Sequence, residues 1–566
     1  MKQKLATGID GFEEIRKKQY FFVDKTYFIK EWWEQGDKVT LITRPRRFGK
    51  TMNMSMLECF FSTKYAGRDD LFEGLAVWED EKYRELQGTY PVINLSFADV
   101  KCADYIGACK VICQNITKVF KVYSDIIDND KLGDKDKVFL EQVNIDMPDY
   151  IAIQSLQELS AVLQAFYGEK VIILLDEYDT PLIEAYTHGY WQEMTEFMRG
   201  LFNATFKSNP SLYRGVMTGV TRISKESMFS DLNNLRVVTT TSSLYSTSFG
   251  FTEDEVFAAL DTYGYGDQKE EVKRWYDGFT FGKVKDIYNP WSIINFLFEG
   301  EYDSYWVNTS SNALLNQLVK TGSADVKEKM EDLIQGKSIF VSIDEEIIYN
   351  QLDDQKDAIW SLMLASGYLK VVELHRKKDI RGNFKKIYEL AITNEEVYIM
   401  FEKFIDGWFR GDRNEVYYSE FVRNLLQNNV KKMNTFMNKV ALETISYFDT
   451  GMRPSESIEP ERFYHGFVLG LLVELKEKYE VLSNRESGYG RYDVMLVPNN
   501  PTDNAYVLEF KVFDPDEEKT LEDTVASALA QIEEKEYTAS LIARGIEKEK
   551  IFTYGFAFEG KTVLIG

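Results

Sequence analysis

Five consecutive apolar residues, 171–175 (VIILL), run straight into two adjacent carboxylates, Asp176 and Glu177. A short run without polar alternation is the pattern of a strand covered on both faces, as in a parallel sheet between helices. Two acidic groups at its end cost desolvation energy unless they meet water or a cation. Similar runs at 38–43 (KVTLIT), 92–97 (VINLSF) and 213–220 (YRGVMTGV) alternate with helical periodicity through the first 245 residues. The pattern predicts an α/β fold on a parallel sheet.

KVTLIT leads into Arg44-Pro45-Arg46-Arg47-Phe48-Gly49-Lys50-Thr51 and then a helix-like run, MNMSMLECFF. A phosphate-binding loop (P-loop) needs backbone N–H groups around the phosphates, a Lys reaching the β/γ-phosphates and a hydroxyl on Mg²⁺. Gly49, Lys50 and Thr51 fill the last three positions of GxxxxGK[ST], the Walker A pattern; Arg44 stands where its first glycine belongs. Taken alone, a basic strand-to-helix turn explains the segment equally well. The acidic strand tips the balance, because VIILL-Asp-Glu is how a Walker B strand ends. Arg46, Arg47, Phe48, Gly49, Lys50 and Thr51 are therefore expected to bind ATP. Asp176 and Thr51 would hold Mg²⁺, and Glu177 would polarise the attacking water. YRGVMTGV ends at Thr221-Arg222, which could sense the γ-phosphate and neutralise charge, or simply cap the sheet.

At about 150 residues per domain, 566 residues suggest three or four domains. Changes of character place boundaries at 1–248, 249–450 and 451–566. The middle region reads as mostly helical: Thr252 with Glu255 forms a capping box, and Asn289-Pro290 opens another helix. Segments 368–373 and 386–392 form a hairpin that could be the wing of a winged helix. The basic stretch 375–386 (HRKKDIRGNFKK) is either a substrate contact or the solvated tip of that hairpin. Residues 128–137 read as a surface loop and 449–460 as a linker.

Charge and cysteine usage narrow the function. The balance of 67 basic and 91 acidic residues, net −24, argues against a general cationic coat for nucleic acid. A local basic groove stays open, since charges farther apart than about 8 Å are largely screened. Cys59, Cys102, Cys109 and Cys113 form no CxxC pair, and the three histidines do not supply a zinc cluster. Buried thiols in a reducing cytoplasm are expected. The N-terminal MKQKLATGIDGFEEI lacks an apolar signal core. The apolar stretch 463–473 falls short of the roughly 20 residues that span a bilayer, so no membrane partner is expected.

Near the C-terminus, 491–497 (RYDVMLV) and 505–511 (AYVLEFK) flank a turn-rich connector and read as a hairpin. Glu509 and Lys511 share a face, and Asp493 lies on the partner strand. Two carboxylates and a Lys on one face suit Mg²⁺, or Mn²⁺, with Asp493 and Glu509 as ligands and Lys511 positioning water or stabilising charge. A strand edge bearing a salt bridge has the same residues. Residues 451–566 hold 13 basic and 22 acidic residues, few cations for displacing counterions from nucleic acid.

Several segments together resemble a known family. YFFVDKT (20–26), RPRRFGKT (44–51), LLDEYDTPL (174–182), TGVTRISKESMFSDLNNL (218–235), WYDGFTFG (275–282) and YNPWSI (288–293) are similar to those of bacterial AAA-ATPase-like proteins. The resemblance implies that an Arg-rich loop is this family's usual P-loop form. It implies ATP and Mg²⁺ as cofactors of a hydrolase, and leaves Asp24 and Lys25 either near the nucleotide or anchoring the N-terminal segment. The C-terminal part resembles the PD-(D/E)XK nuclease domain over ERFYHGF (461–467), Asp493, Glu509–Lys511 and a helix with Gln531, Lys535 and Tyr537. The likeness places Gln531 near the metal and leaves Glu461 or Glu474 as a further carboxylate, with His465 lining the cleft or satisfied in the core. It implies a metal-dependent nuclease acting on DNA or RNA. A nucleotide-switched signalling scaffold, a non-cleaving binding module and a protein-interaction role remain alternatives, and oligomerisation is left open.

Overall fold

The computed structural model describes residues 2–127, 139–222, 229, 232–307, 315, 318–319, 324–334, 336–343, 358–378, 384–410, 418–444, 468, 472, 475, 478–487, 490–500, 502–515, 517–559 and 562–566. The expected loop at 128–137, the linker, the segment 461–467 with Glu461 and His465, and Glu474 lie outside them. The chain divides into two compact units, Met1–Leu315 with Ser338–Tyr398, and Asn316–Lys337 with Ile399–Gly566.

In the first unit, β1 (Val39–Thr43), β2 (Val92–Ser96), β3 (Val171–Asp176), β4 (Leu212–Gly219) and β5 (Leu235–Val238) form one sheet in the order β2-β3-β4-β1-β5. Every pairing in it is parallel. β1 and β3 are buried at every position: β3 as an apolar run up to Asp176, and β1 with Thr40 and Thr43 taken in beside its apolar residues. The four strands expected from the sequence are present with bounds shifted by one residue or less. One face of the sheet carries Ile42, Ile172, Leu174 and Val216 into a core of aromatic side chains, among them Phe28, Trp32, Phe60 and Phe61.

Beyond the sheet, Thr252 caps its helix with both bonds of the capping box, and Asn289 Oδ1 accepts from the N–H groups of Trp291 and Ser292. These helices are joined by a small antiparallel sheet the sequence did not announce: β6 (Phe251–Thr252), β7 (Phe279–Phe281) and β8 (Val284–Tyr288), in the order β6-β8-β7. Strands of two, three and five residues are too short for period-two alternation to register. The expected hairpin is present, longer than predicted, as β10 (Leu369–Lys378) and β11 (Phe384–Ile392), with β9 (Ile339–Val341) added on the edge of β11.

The second unit carries a mixed sheet, β12 (Tyr479–Ser487), β13 (Gly490–Pro498), β14 (Ala505–Val512), β15 (Ile551–Glu559) and β16 (Thr562–Ile565), in sequence order. β14 and β15 are parallel; the other neighbours are antiparallel. Alternation sends Val494, Leu496, Leu508 and Phe510 into a core with Phe421, Met433 and Met437 of the Tyr418–Leu426 and Val430–Thr444 helices. Met495, Val497, Ala505 and Val507 face the other side, where Ile532 of the Leu521–Glu534 helix packs. A Cβ on Gly555 would sit 2.8 Å from the Val525 carbonyl, so a bare backbone at this point lets that helix lie close on β15. No helix among the described residues is long and apolar enough to cross a membrane.

Candidate active sites

The first site forms where β1 and β3 end. The chain turns from Thr43 into the Lys50–Phe61 helix, with Arg47 at φ 64° and Gly49 at φ 79°. Left-handed residues of this kind curl the chain so that successive N–H groups converge, at a helix N-terminus already favourable to anions. Lys50 is buried, and its Nζ donates to the carbonyls of Arg44 (3.1 Å) and Pro45 (2.9 Å). Burial pushes the Lys50 pKa down, against the pull of Glu177, Asp176 and Asp179.

Asp176 is buried between two hydroxyls. Thr51 Oγ1 donates to its Oδ2 at 2.7 Å, and Thr218 Oγ1 donates to Oδ1. Burial raises its pKa while both hydroxyls act against the rise. Glu177 follows at φ 53° and accepts from Thr180 Oγ1 at 3.2 Å. A left-handed conformation is costly for a residue with a Cβ, by about 1 kcal/mol or more, and glycine would relieve it. Asp179 Oδ2 then fastens the ends of β3 and β4, accepting from the N–H groups of Val220 and Thr221 and from Thr221 Oγ1 at 2.8–2.9 Å. Thr218 and Asp179 are the residues that sequence reading missed. Asp179 lies inside the DEYD motif, but only its packing shows what it holds.

A cavity of about 610 Å³ opens at these residues, within the size range of small-molecule sites, about 300–1,000 Å³. Its lining joins Lys50, Asp176 and Glu177 to Phe21, Trp291 and Ile294, a mixture suited to a ligand with phosphates and a ring. Arg46, Arg47, Phe48, Gly49 and Thr51 line it as well; Thr221 and Arg222 do not. Thr51 Oγ1 and Asp176 Oδ2, 2.7 Å apart, are hard oxygens of the kind that would hold Mg²⁺, Asp176 through water. Lys25 also lines the cavity, ion-paired to Glu255 at 2.6 Å; Asp24 instead anchors the N-terminal segment, accepting from Thr26 and from Ala76 N–H.

Three residues of the loop have roles the sequence concealed. Phe48 is fully buried, edge-on to Phe279 at 4.7 Å and Phe281 at 5.4 Å, so what it can offer a phosphate is main chain. The Arg47 guanidinium lies 4.3 Å over the Trp291 ring. The Arg46 carbonyl accepts from Asn289 Nδ2 (3.2 Å) and Trp306 Nε1 (3.0 Å), so residues far along the chain hold the loop.

Arg44, in place of the first glycine, is completely buried. Its guanidinium donates to the carbonyls of Thr43, Thr239, Leu244 and Tyr245 and lies 4.5 Å from the Phe281 ring. Replacing Arg44 with Gly would restore the usual spelling of the loop, yet it should destabilise the fold by about 3 kcal/mol or more, since buried carbonyls lose their donors and a cavity opens. Urea unfolding measures this; a variant as stable as wild type refutes the anchoring role.

Glu396 supports the same loop through Trp306. It is buried, accepting from Ser292 Oγ at 3.0 Å and from the Trp306 N–H, and burial pushes its pKa up to about 8 against those donors. The folded state keeps this proton between about pH 4.5 and 8 while the unfolded chain releases it, so stability should fall across that window as pH rises, by up to about 1.4 kcal/mol per unit. Glu396→Gln should flatten the dependence in pH-resolved thermal melts. Parallel profiles for the two proteins would remove Glu396 as the cause.

The second site lies on β13 and β14. Val494 pairs with Leu508, which sets Asp493 opposite Glu509 one step on. Asp493 Oδ2 accepts from Phe510 N–H at 2.8 Å, and Glu509 Oε2 accepts from Asp493 N–H at 3.4 Å. Glu509 is buried, and Gln531 Nε2 donates to its Oε1 and lies 3.3 Å from the Tyr537 hydroxyl. The Leu521–Glu534 helix thus delivers Gln531; Lys535 and Tyr537 follow its end. Lys511 is half-buried, two residues beyond Glu509 on the same strand face. The donor set is hard oxygen throughout, which suits Mg²⁺ or Mn²⁺.

Comparison with known proteins finds a separate family model matching each end of the chain. Residues 6–229 match the family model described as "Predicted AAA-ATPase", and residues 459–566 match that of the PD-(D/E)XK nuclease superfamily. An "Uncharacterized protein in vnfD 5'region" of Azotobacter chroococcum mcd 1 is 26% identical, with 98% of this chain and 96% of that protein covered. A solved structure of Drosophila ORC bound to AT-rich DNA and Cdc6 is 10% identical at a TM-score of 0.18, covering 69% of this chain and 93% of that one, a likeness too loose to bear on function.

Proposed function

We propose that this chain, which joins an AAA-ATPase-like domain to a domain of the PD-(D/E)XK nuclease superfamily, hydrolyses ATP and couples that cycle to metal-dependent cleavage of DNA or RNA. The observation that carries the reading is the convergence of Lys50, Thr51, Asp176 and a left-handed Glu177 on one cavity. Lys50 binds the β/γ-phosphates, the loop N–H groups from Arg46 to Gly49 surround them, and Thr51 with Asp176 holds Mg²⁺. Glu177 takes the proton of the attacking water. Thr221, outside the cavity lining, acts on this site through Asp179, which accepts from its N–H and hydroxyl at the end of β4, and Arg222 follows it there.

In the C-terminal domain Asp493 and Glu509 hold Mg²⁺ or Mn²⁺. The ion supplies Lewis-acid stabilisation of charge building on the scissile phosphate. Lys511 stabilises the same charge, and Gln531 orients Glu509. Residues 1–248 carry the phosphate and Mg²⁺ groups, Trp291 and Ile294 of the middle region (249–450) complete the nucleotide cavity, and 451–566 carries cleavage, in a cytoplasmic protein. A second reading, a nucleotide-switched scaffold that binds without cutting, draws on the 13 basic and 22 acidic residues of 451–566.

Incubating the protein with end-labelled single- and double-stranded DNA and RNA, with and without ATP and Mn²⁺, tests the whole. Mn²⁺-dependent cutting of at least one substrate, altered by ATP, is expected. Binding of a substrate without any cutting and without ADP release would leave the scaffold reading in its place.

A further inference from the structure

The β10–β11 hairpin carries an arrangement that neither site uses. Its register sets Arg376 opposite Lys386 and, one step on, Lys377 opposite Lys385. Residues directly opposite on antiparallel strands share a face at short range, and like charges there destabilise the pairing. The Arg376–Lys386 pair is therefore a local cost to the fold. The hairpin's carboxylates do not relieve it: Glu373 and Glu389 lie against His375, at 3.9 and 3.3 Å. Among the described residues, Arg376, Lys385 and Lys386 have no acidic partner.

The face that holds Arg376 and Lys386 also carries exposed apolar groups. Period-two alternation puts Leu374, Arg376, Lys386 and Phe384 together. Phe384 is 70% exposed and Leu374 39%, and Arg376 and Lys386 are exposed as well. On a chain of net charge −24, such a cluster is a local attractor for a polyanion. An exposed aromatic ring beside cations matches one polyanion in particular, a nucleic-acid strand whose bases are unpaired. The ring stacks on a base of any identity while the cations take the flanking phosphates. A duplex hides its base faces and would leave Phe384 unused.

We propose that this hairpin face is a docking surface for single-stranded nucleic acid, with Phe384 under a base and Arg376 and Lys386 on phosphates. The proposal deepens the nucleic-acid reading and rests on it for the class of polymer, but not on cleavage. It is therefore tested in EDTA, with the full chain, by fluorescence anisotropy of labelled DNA and RNA single strands and of duplexes of equal length.

Single strands should bind more tightly than duplexes, and the DNA and RNA arms identify the sugar. Phe384→Ala should weaken single-strand binding about fivefold or more. Arg376→Gln with Lys386→Gln should lower the slope of log affinity against log salt by about 1.4, roughly 0.7 per phosphate contact. These side chains are exposed, and circular dichroism confirms that the variants fold. Single-strand binding unchanged in both variants overturns the proposal, and so does a preference for duplex that Phe384→Ala leaves intact. If the protein cuts nothing in Mn²⁺ yet the variants still lose affinity in EDTA, the nuclease reading fails and the docking surface stands.

Discussion

Glu177→Gln should slow single-turnover ATP hydrolysis by about 10²–10⁴-fold, the range a positioned general base contributes, while ATP still binds. The substitution keeps the size of the side chain and an acceptor for Thr180 Oγ1, so the turn after β3 is disturbed little. Lys50, Thr51 and Asp176, which carry binding in this reading, are untouched. Glutamine cannot take a proton from water, and hydrolysis should stall with the nucleotide in place. The backbone makes the test sharp. A glycine at 177 would adopt φ 53° at no steric cost, so the glutamate carries a conformational penalty that a catalytic side chain would account for on this reading. Equal hydrolysis rates in wild type and variant would favour a nucleotide-bound scaffold over an ATPase.

What the sequence disclosed, and what it hid, follows from the range over which each signal acts. The run 171–175 and its neighbours are strands because burial on both faces leaves an unbroken apolar signature, visible in five residues. Capping at Thr252 and Asn289 is equally local, decided by side chains within three positions of the N–H groups they satisfy. β5, a four-residue strand with one exposed and two half-buried positions, lacks that signature and passed unnoticed. Edge strands β12 and β16 escaped similarly. The site divides along the same line. Lys50, Thr51, Asp176 and Glu177 stand in motifs, and Asp493, Glu509 and Gln531 come together as strand parity and the family likeness imply.

The supports were invisible because they join residues far apart in the chain. Arg44 reaches carbonyls about 195–201 positions away, and Asn289 and Trp306 hold the Arg46 carbonyl from 243 and 260 positions away. A sequence containing Arg in place of Gly could equally have meant a damaged loop. The fold shows that the arginine is consumed inside, and that the loop is held by groups a compact P-loop pattern does not contain.

At the second site, Glu509→Gln should abolish Mn²⁺-dependent cutting and the binding of Mn²⁺ seen by calorimetry, with ATP hydrolysis unchanged. Glu509 is buried, so the isosteric change avoids a cavity and isolates the loss of charge. Its neighbours provide a graded control. Gln531 donates to Glu509 and on this reading touches no metal, so Gln531→Ala should reduce cutting or metal affinity about 10–100-fold, the usual effect of losing a group that orients a ligand. Glu509→Gln should exceed that range. Lys511→Met should lower the cutting rate and leave Mn²⁺ binding in place, because an ammonium group repels the ion and serves only the charge building on the phosphate. If Gln531→Ala and Glu509→Gln lose equally little, the facing carboxylates are a strand-edge arrangement held by N–H donors rather than an ion's seat. If Lys511→Met removes Mn²⁺ binding as fully as Glu509→Gln does, the lysine is organising the strand face and its assignment to the reacting phosphate is wrong.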